Sequence, residues 1–287
     1  RRIKGKVRET FSRSVLADIG GFGGFYDAKF KGLKRPVLVS SVDGVGTKLK
    51  VAFLMDKHDT VGEDLVNHCV NDIAVCGARP LFFMDYFATG KLRTHVAEQV
   101  IDGMIRGCRS NGCSLIGGET AEMPGFYRDN EYDLAGSIVG VVDRKNIYNG
   151  SRVRAGDVLV GVPSTGLHTN GYSLARSVLF ERFEVDDFVD ELGARVGEAL
   201  LAVHRSYLAV IGLATKNTGV HAFAHITGGG IVGNTSRVVP APLSVRVDWT
   251  AWEMPAIFRL IRKYGPVPDA EMRKTFNLGI GLVSVVT

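Results

Sequence analysis

The sequence predicts an α+β protein built from two domains. Runs of β-branched and aliphatic residues alternate with segments whose apolar residues recur at helical spacing, and both halves of the chain show this mixture. The 287 residues suffice for one or two domains, each of about 100–200 residues. A polar, turn-rich stretch at 144–157 divides the halves. We therefore predict one domain at 1–148 and a second at 149–287.

The composition is that of a globular protein with an excess of glycine. Hydrophobic residues make up 45% and charged residues 23% of the chain, which predicts a packed core. Many of the 35 glycines lie in short clusters with polar residues, a pattern typical of loops whose backbone contacts a ligand. The net charge of +5 comes from scattered Lys and Arg, so we expect a phosphorylated metabolite rather than nucleic acid as the partner.

Hydropathy and cysteine usage bear on the compartment. No run approaches the ~20 apolar residues of a membrane span, and no secretory signal precedes the first strand, so we expect no membrane partner. The four cysteines lack the CxxC spacing of a metal or redox motif. We expect small buried side chains in a reducing compartment, the cytoplasm. They are Cys69, Cys76, Cys108 and Cys113.

The first domain is predicted to contain two helices and several strands. The first helix begins at a capping box, Thr60-Val61-Gly62-Glu63, and ends near Gly77. The second helix runs from about Thr94 to Arg109. The predicted strands lie at 37–42, 81–87, 114–116, where Gly117-Gly118 ends the strand, and 137–142.

The second domain is predicted to open with a buried strand at 158–162, a continuous aliphatic run. Helical patterns follow near 171–183 and 195–212. Further strands are predicted near 220–226, 243–248 and 278–286.

The segment Asp43-Gly44-Val45-Gly46-Thr47-Lys48 directly follows the first predicted strand. Its two glycines allow the backbone to approach an anion, Lys48 can neutralise a phosphate, and Asp43 can hold Mg²⁺. The alternative is an ordinary turn that joins two strands. The segment is not a P-loop, because GxxxxGK[ST] does not occur in the chain.

Two further carboxylates lie at the edges of predicted elements. Asp72, after Asn71, falls at the edge of a helical apolar stripe, where a charge needs a cation or strong donors. Glu119 lies in Gly117-Gly118-Glu119-Thr120, at the end of a strand. The alternatives are a salt bridge for Asp72 and an acid at a helix N-terminus for Glu119. Asp43, Asp72 and Glu119 together predict a Mg²⁺ site that carries phosphates.

The loop at 164–173 follows the opening strand of the second domain and precedes a helix. Free backbone amides at a helix start favour phosphate, and the Ser, Thr and Asn side chains add neutral donors. His168, between the glycines of this loop, is a better candidate than His58 or His95. The candidate residues are Ser164, Thr165, Gly166, His168, Asn170 and Gly171.

A second glycine-rich segment, His225 to Gly233, supports a rival hypothesis. Gly228, Gly230 and Gly233 match GxGxxG, and Asp248 lies 20 residues after Gly228, the spacing of a dinucleotide-binding fingerprint. The match is weak, because Pro240 follows too soon for a full crossover helix. His221 and His225 are four residues apart without an evident third ligand, so a zinc site is not indicated.

Several long stretches carry a resemblance to one family. They are GGFGGFYD at 20–27, DGVGTKLK at 43–50, KHDTVGEDLVNHCVNDIAVCGARPLFFMDYFATGKL at 57–92, GCSLIGGETAEMPGFY at 112–127, YDLAGSIVGVVDR at 132–144, STGLHTNGYSLAR at 164–176, AHITGGGIVGN at 224–234 and KTFNLGIGLV at 274–283. In these stretches the chain resembles the phosphoribosylformylglycinamidine cyclo-ligase, or aminoimidazole ribonucleotide synthetase, family. The family normally has a Gly- and Asp-containing segment before the position of Arg1, and it continues past Thr287.

The resemblance implies an ATP-dependent ligase of purine biosynthesis that uses Mg²⁺, with a requirement for a monovalent cation left open. ATP phosphorylates the formyl amide oxygen of formylglycinamidine ribonucleotide, and ring closure then gives aminoimidazole ribonucleotide. The implied fold is a homodimer in which strands of the two N-terminal domains form a shared barrel.

Applied to this chain, the resemblance assigns ATP to the first domain and the nucleotide substrate to the loops of the second. His168, Lys48 and Asp72 are the candidates for catalysis, although His168 could also simply hold its loop by a hydrogen bond to backbone. The expected ATP contacts are Asp43, Gly44, Gly46, Thr47, Lys48, Asn71, Gly117, Gly118, Glu119 and Thr120. The expected substrate contacts are Ser164, Thr165, Gly166, His168, Asn170, Gly171, Thr227, Gly228, Gly229 and Gly230.

The rival activities are those of other ATP-using enzymes of the same superfamily. They include the amidotransferase that makes the substrate, thiamine-monophosphate kinase and selenophosphate synthetase. No reactive Cys occurs near the start, which counts against the last. The stretches GGETAEMPG and STGLHTNG favour the cyclo-ligase.

Overall fold

The computed structural model describes residues 2–287, which divide into two compact units, Arg1–Ile147 and Tyr148–Thr287. The sequence placed the boundary between 148 and 149. Within the described residues, no helix has the length and apolar character needed to cross a bilayer.

The first unit combines four helices with a four-stranded sheet. A short 3₁₀ turn, Gly46–Lys48, lies between the first strand and the second helix. The elements are α1 Arg2–Arg8, β1 Pro36–Gly44, α2 Leu49–Leu54, α3 Val61–Ala74, β2 Arg79–Thr89, α4 Thr94–Asn111, β3 Ser114–Glu122 and β4 Tyr132–Asp143.

The strands of this sheet are ordered β1-β4-β2-β3. β2 and β3 are parallel and are connected through α4, and the other pairs are antiparallel. α3 packs on α4 and against the sheet. Gly62 and Gly103 allow this close approach. A Cβ on Gly62 would lie 2.0 Å from the Val100 carbonyl oxygen on α4, and a Cβ on Gly103 would lie 2.3 Å from the Asp59 carbonyl oxygen in the turn before α3.

The two faces of the sheet differ in their surroundings. Phe83 and Ile138 point to the face covered by α3 and are fully buried. Side chains alternate along a strand, so Leu38 and Val42 point to the other face. They are 62% and 70% exposed, respectively. The sheet therefore has one helix-covered face and one open face.

The second unit contains a three-stranded antiparallel sheet ordered β5-β9-β8. Ala224, Ile231 and Val283 form part of its core. The elements are β5 Val158–Pro163, α5 Tyr172–Leu179, β6 Phe188–Val189, β7 Ala194–Arg195, α6 Val196–Leu200, α7 Leu208–Ala214, β8 Val220–His225, α8 Gly230–Thr235, α9 Ala256–Tyr264, α10 Asp269–Thr275 and β9 Ile280–Val286.

Several predicted elements of the first unit are confirmed, and two local predictions are wrong. The strands and the two long helices lie where they were predicted. The capping box is wrong, because Thr60 has helical dihedrals and its side chain makes no cap hydrogen bond. β3 does not end at Gly117-Gly118 but continues to Glu122, because its pairing with β2 outweighs the low strand propensity of glycine.

In the second unit, three predictions need correction. The strand at 158–162 is not buried: it is an edge strand whose Val158 is 55% exposed. The helix predicted at 195–212 is two short helices, α6 and α7, separated by residues 201–207. Residues 243–248 alternate in hydrophobicity but form no strand.

Candidate active site

The predicted phosphate loop, residues 43–48, leads from strand to helix. β1 ends at Gly44, and the chain passes through the 3₁₀ turn into α2. Gly46 has φ +67°, a left-handed conformation that glycine adopts without strain. The alternative of a turn between two strands is therefore excluded, and the exposed residues of this loop lie beside the Asp43 carboxylate.

Two carboxylates meet between the edge strand β1 and helix α3. His68 Nε2 on α3 lies 2.9 Å from Asp43 Oδ2. One turn further along α3, Asp72 Oδ2 accepts a hydrogen bond of 3.0 Å from Ser41 Oγ. Burial raises the pKa of Asp43, but the hydrogen bond and charge of His68 outweigh burial, so the net pKa lies below its ordinary value. Asp43 is therefore ionised at neutral pH and is suited to bind a cation.

Asp43, Asp72 and Glu119 were predicted to converge on one Mg²⁺ ion, but within a single chain Glu119 lies far from Asp43. Glu119 lies on β3, which β4 and β2 separate from β1, so the Glu119 and Asp43 backbones lie about three strand spacings apart, about 14 Å. In the strand register, Glu119 of β3 pairs with Tyr86 of β2. Asp43 of β1 pairs with Gly136 of β4, and Gly136 pairs with Asp85 of β2, the residue before Tyr86. The two carboxylates therefore point to opposite faces of the sheet.

Lys48 and Asn71 were predicted to contact ATP directly, but the structure buries both side chains. Lys48 is fully buried, and its Nζ lies 2.7 Å from Oδ2 of the equally buried Asp64. Burial lowers the pKa of Lys48, and the charge of Asp64 opposes that shift. Asn71 is also fully buried. Neither side chain has surface with which to contact a phosphate, so Lys48 instead ties the loop to α3.

A cavity of about 620 Å³ lies at the other edge of this sheet, beside β3. The predicted residues Gly117, Gly118, Glu119 and Thr120 line it, together with the glycine-rich segment 20–24. Residues of α1 form another part of its wall. The structure thus separates the predicted ATP contacts of the first unit into two groups, one near Asp43 and one around this cavity.

In the second unit, the loop at 164–171 connects β5 to α5 and is held by neighbouring side chains. Asn277 Nδ2 donates to the Gly166 carbonyl at 2.8 Å, and Ser164 Oγ bonds Asn277 Oδ1 at 3.0 Å. Gly171 has φ +78°, and a Cβ there would lie 2.4 Å from the ring of Phe276. Packing as well as backbone conformation therefore requires glycine at 171.

His168 lies inside this loop and not on its surface. Its side chain is 1% exposed, and its Nε2 accepts a hydrogen bond of 3.2 Å from the Thr165 backbone N–H. Its ring stacks on His204, whose Nε2 lies 3.0 Å from Nε2 of His225. The backbone contact of Nε2 agrees with the loop-holding alternative for His168, and its catalytic role stays a prediction.

The second predicted substrate loop, residues 227–230, is adjacent to the first. A Cβ on Gly228 would lie 3.2 Å from Asn170 Oδ1. Asn234 Nδ2 donates to the carbonyls of Thr227 and Gly230 and so fixes the loop. The Nδ2 of Asn170 is buried and, among the described residues, no group accepts its hydrogen bonds. A ligand oxygen at this point would satisfy that donor.

The dinucleotide hypothesis is excluded by the same segment. β8 leads into the six-residue helix α8 and pairs with an antiparallel neighbour, so no parallel crossover unit follows the glycines. Asp248 lies outside any strand, and its Oδ1 accepts hydrogen bonds from the backbone N–H and Oγ1 of Thr250.

The sequence reasoning missed several residues that build these sites. His68 could have been predicted from the sequence, because it precedes Asp72 by four residues and therefore lies on the same helix face. No local pattern marks Ser41, Asp85, His204 and Asn277, because their partners are distant in sequence. Asn234 was also missed, although its partners lie only four to seven residues away.

Comparison with known proteins identifies the family. The family model described as AIR synthase related protein, N-terminal domain, matches residues 30–142, and the corresponding C-terminal domain model matches residues 154–287. A protein of Anaeromyxobacter dehalogenans named phosphoribosylformylglycinamidine cyclo-ligase is 54% identical over 99% of this chain and 83% of its own length. A protein of the same name from Sorangium cellulosum is 55% identical, with the same coverage. The chain belongs to the phosphoribosylformylglycinamidine cyclo-ligase family.

Solved structures place the cyclo-ligase family fold among more distant proteins. Thiamine-monophosphate kinase of Stenotrophomonas maltophilia aligns with a TM-score of 0.65 at 15% identity, over 100% of this chain and 84% of that one. The hydrogenase maturation protein HypE in complex with ATP aligns with a TM-score of 0.58 at 16% identity, over 100% and 75%. At these identities the likeness shows the fold.

Proposed function

We propose that this chain catalyses the ATP-dependent cyclisation of formylglycinamidine ribonucleotide to aminoimidazole ribonucleotide, with release of ADP and phosphate, in the purine biosynthesis of the cytoplasm. The observation that carries the proposal is the 50–55% identity to cyclo-ligases over almost the whole chain. The two glycine-rich loops of the second unit and the carboxylates of the first lie within the matched residues.

The chemistry explains why ATP is needed. An amide oxygen is a poor leaving group, and phosphorylation of the formyl amide oxygen converts it into a good one. The amidine nitrogen of the same molecule then attacks the activated carbon, phosphate leaves, and the imidazole ring closes. Both reacting groups belong to one substrate, so the protein contributes mainly position and charge neutralisation.

Asp43 and Asp72 are the residues that fit Mg²⁺ in this proposal. Each offers carboxylate oxygen, the ligand type that Mg²⁺ prefers, and both lie where β1 meets α3. When bound, the ion would neutralise negative charge on the phosphates of ATP. His68 and Ser41 hold the two carboxylates in place.

We assign ATP to the first unit and the ribonucleotide to the loops of the second. The cavity beside β3 supports the first assignment, because four of the predicted ATP contacts line it. The unsatisfied Nδ2 of Asn170 supports the second assignment. Asn234, Asn277 and His168 keep the two loops in shape rather than contacting the substrate.

The active form in this proposal is a homodimer whose first units share a barrel. The open face of the sheet supports this arrangement, because it exposes aliphatic residues of the edge strand β1 such as Leu38 and Val42. Joining two sheets at their edges would cover those residues and satisfy the unpaired backbone groups.

Purified protein incubated with formylglycinamidine ribonucleotide, ATP and Mg²⁺ should form ADP and aminoimidazole ribonucleotide in equal amounts. Omission of the ribonucleotide should stop ADP formation and serves as the control. Thiamine monophosphate in its place tests the rival kinase activity. ADP formation with thiamine monophosphate but not with the ribonucleotide would overturn the proposal.

A further inference from the structure

Among the described residues, the acidic side chains that line the cavity beside β3 are Asp18, Asp85 and Glu119, and Asp18 is already paired with Arg8. Asp85 lies on β2, and its carboxylate rests on the backbone of Gly118, where a Cβ would lie 2.2 Å from Oδ1. Asp85 and Gly118 are paired in register across the two parallel strands. The missing side chain of Gly118 therefore leaves the carboxylate directly accessible from the cavity that both residues line.

The Asp85 carboxylate has little compensation for its burial, although Lys4 and Thr120 also line the cavity. Ile101, Leu115 and Ile116 line the same cavity. Among the described residues, no other side chain or backbone N–H donates a hydrogen bond to this carboxylate, and none forms an ion pair with it; its own backbone N–H is its only donor. Burial raises the pKa of Asp85 to about 7. The group is therefore substantially protonated at neutral pH, with one O–H donor and one acceptor in a plane.

That pattern matches one edge of a nucleobase. Adenine presents its 6-amino group as a donor beside N1 as an acceptor, which complements the acceptor and donor of a carboxylic acid. The apolar residues Ile101, Leu115 and Ile116 can pack against a purine ring, and a volume of about 620 Å³ lies within the range of roughly 300–1,000 Å³ of small-molecule sites. A buried polar group without partners is costly unless a ligand supplies them.

We propose that the cavity beside β3 holds the adenine ring of ATP and that Asp85 recognises its 6-amino and N1 edge, which makes Asp85 the residue that selects adenine. This inference rests on the proposed function, because it assumes that ATP is the nucleotide used. It adds the position of the base and the residue that recognises it.

The test is a double-mutant-type cycle that removes the Asp85 carboxylate from the protein and the 6-amino group from the nucleotide, singly and together. The ligand change replaces ATP with purine ribonucleoside triphosphate, which lacks only the 6-amino group. In the parent protein, this change should raise the KM for the nucleotide roughly tenfold or more, with kcat little altered, because a buried acceptor is left unpaired. In Asp85→Leu, which has no acceptor, ATP and the analogue should have nearly the same KM.

Asp85→Asn is the conservative variant. An amide presents the same pair of donor and acceptor as the carboxylic acid, and Asn makes two hydrogen bonds to a different edge of adenine, N6 and N7, in protein–DNA complexes. Its KM for ATP should therefore stay within a few-fold of the parent value. Asp133→Asn, on the neighbouring strand β4, changes an exposed carboxylate outside the cavity and should leave the preference for ATP over the analogue unchanged.

Equal KM values for ATP and the analogue in the parent protein would overturn the inference without any variant, even if Asp85→Leu did not fold. An equal penalty for the analogue in the parent and in Asp85→Leu would also overturn it. Equilibrium dialysis of ATP and of the analogue against the parent protein, without the ribonucleotide, keeps two failures apart. Preferential binding of ATP with no cyclisation would contradict the proposed function and leave the assignment of Asp85 standing.

Discussion

The buried pair of Lys48 and Asp64 shows how a charged residue in a glycine-rich loop can serve the fold. Both side chains have no exposed surface. Lys48→Met should therefore lower the free energy of unfolding by about 3–5 kcal/mol, because it leaves the Asp64 charge buried without its partner. Denaturant unfolding followed by circular dichroism measures the change.

Lys50→Met is the matched control, since Lys50 forms an ion pair with Glu131 at a partly exposed site. Its loss should cost less than about 1 kcal/mol. The double variant Lys48→Met, Asp64→Leu should regain much of the lost stability, because it removes both charges. Equal effects of Lys48→Met and Lys50→Met would contradict the role of the buried pair.

Asp72 is the residue at which the metal assignment is most directly tested. Asp72→Asn keeps the acceptor for Ser41 Oγ but loses the charge, so the melting temperature should stay near the parent value. Turnover should fall roughly a hundredfold or more, the scale of a lost electrostatic contact in catalysis. A Mg²⁺ titration of the reaction should shift to higher concentration.

Glu119→Gln is the control for Asp72→Asn, because β4 and β2 separate Glu119 from the β1 edge and it points to the open face. It should leave the Mg²⁺ dependence at its parent value. The same shift in both variants would show that the two carboxylates share one ion after all, through an arrangement that a single chain does not provide.

The loop at 164–171 is the element whose shape matters for the substrate. His168 has φ +62°, and Asn tolerates this conformation well, so His168→Asn removes the imidazole with little added backbone strain. The Thr165 N–H then loses its acceptor at a part-buried site, which costs about 1 kcal/mol. The melting temperature should fall by a few degrees, while turnover per folded molecule persists.

Both quantities should be measured on one preparation, with the exposed His95→Asn as a variant that alters neither. An unchanged melting temperature with turnover lowered about a hundredfold would support the role of His168 as a proton-transfer group.

Elements with a strong local pattern could be predicted from the sequence. The β-branched run of β1 and the apolar stripe of α3 were sufficient to locate both. Prediction failed where tertiary pairing decides the outcome. β3 runs through two glycines because β2 pairs with it, whereas residues 243–248 alternate in hydrophobicity without any partner strand.

In the candidate site, too, local patterns could be predicted from the sequence and tertiary contacts could not. The loops were visible as clusters of glycine and polar residues, since those residue types carry the signal themselves. Their contacts were not visible, because Ser164 and Asn277 are 113 residues apart and Ser41 and Asp72 are 31 apart. Lys48 was misassigned for this reason: its partner on α3 is invisible in the local sequence.

For the whole molecule, the open face of the sheet in the first unit predicts its assembly. Leu38 and Val42 are large, exposed and on the strand at the sheet edge. Large apolar residues exposed on a sheet face are typical of an interaction site, and an exposed edge strand favours pairing with another strand. A second copy of the chain offers the same face and edge, which suits a two-fold interface.

Equilibrium sedimentation at micromolar concentration should therefore give about twice the chain mass of 31.1 kDa. Leu38→Lys and Val42→Lys place a charge on the proposed interface, so each should shift the protein towards a monomer without altering its circular dichroism spectrum. Leu54→Lys makes the same change at a residue that is 58% exposed on α2, away from the open face, and should leave the dimer intact. A parent protein that sediments as a monomer would contradict the shared barrel, and dissociation caused equally by all three substitutions would place the interface elsewhere than on the open face.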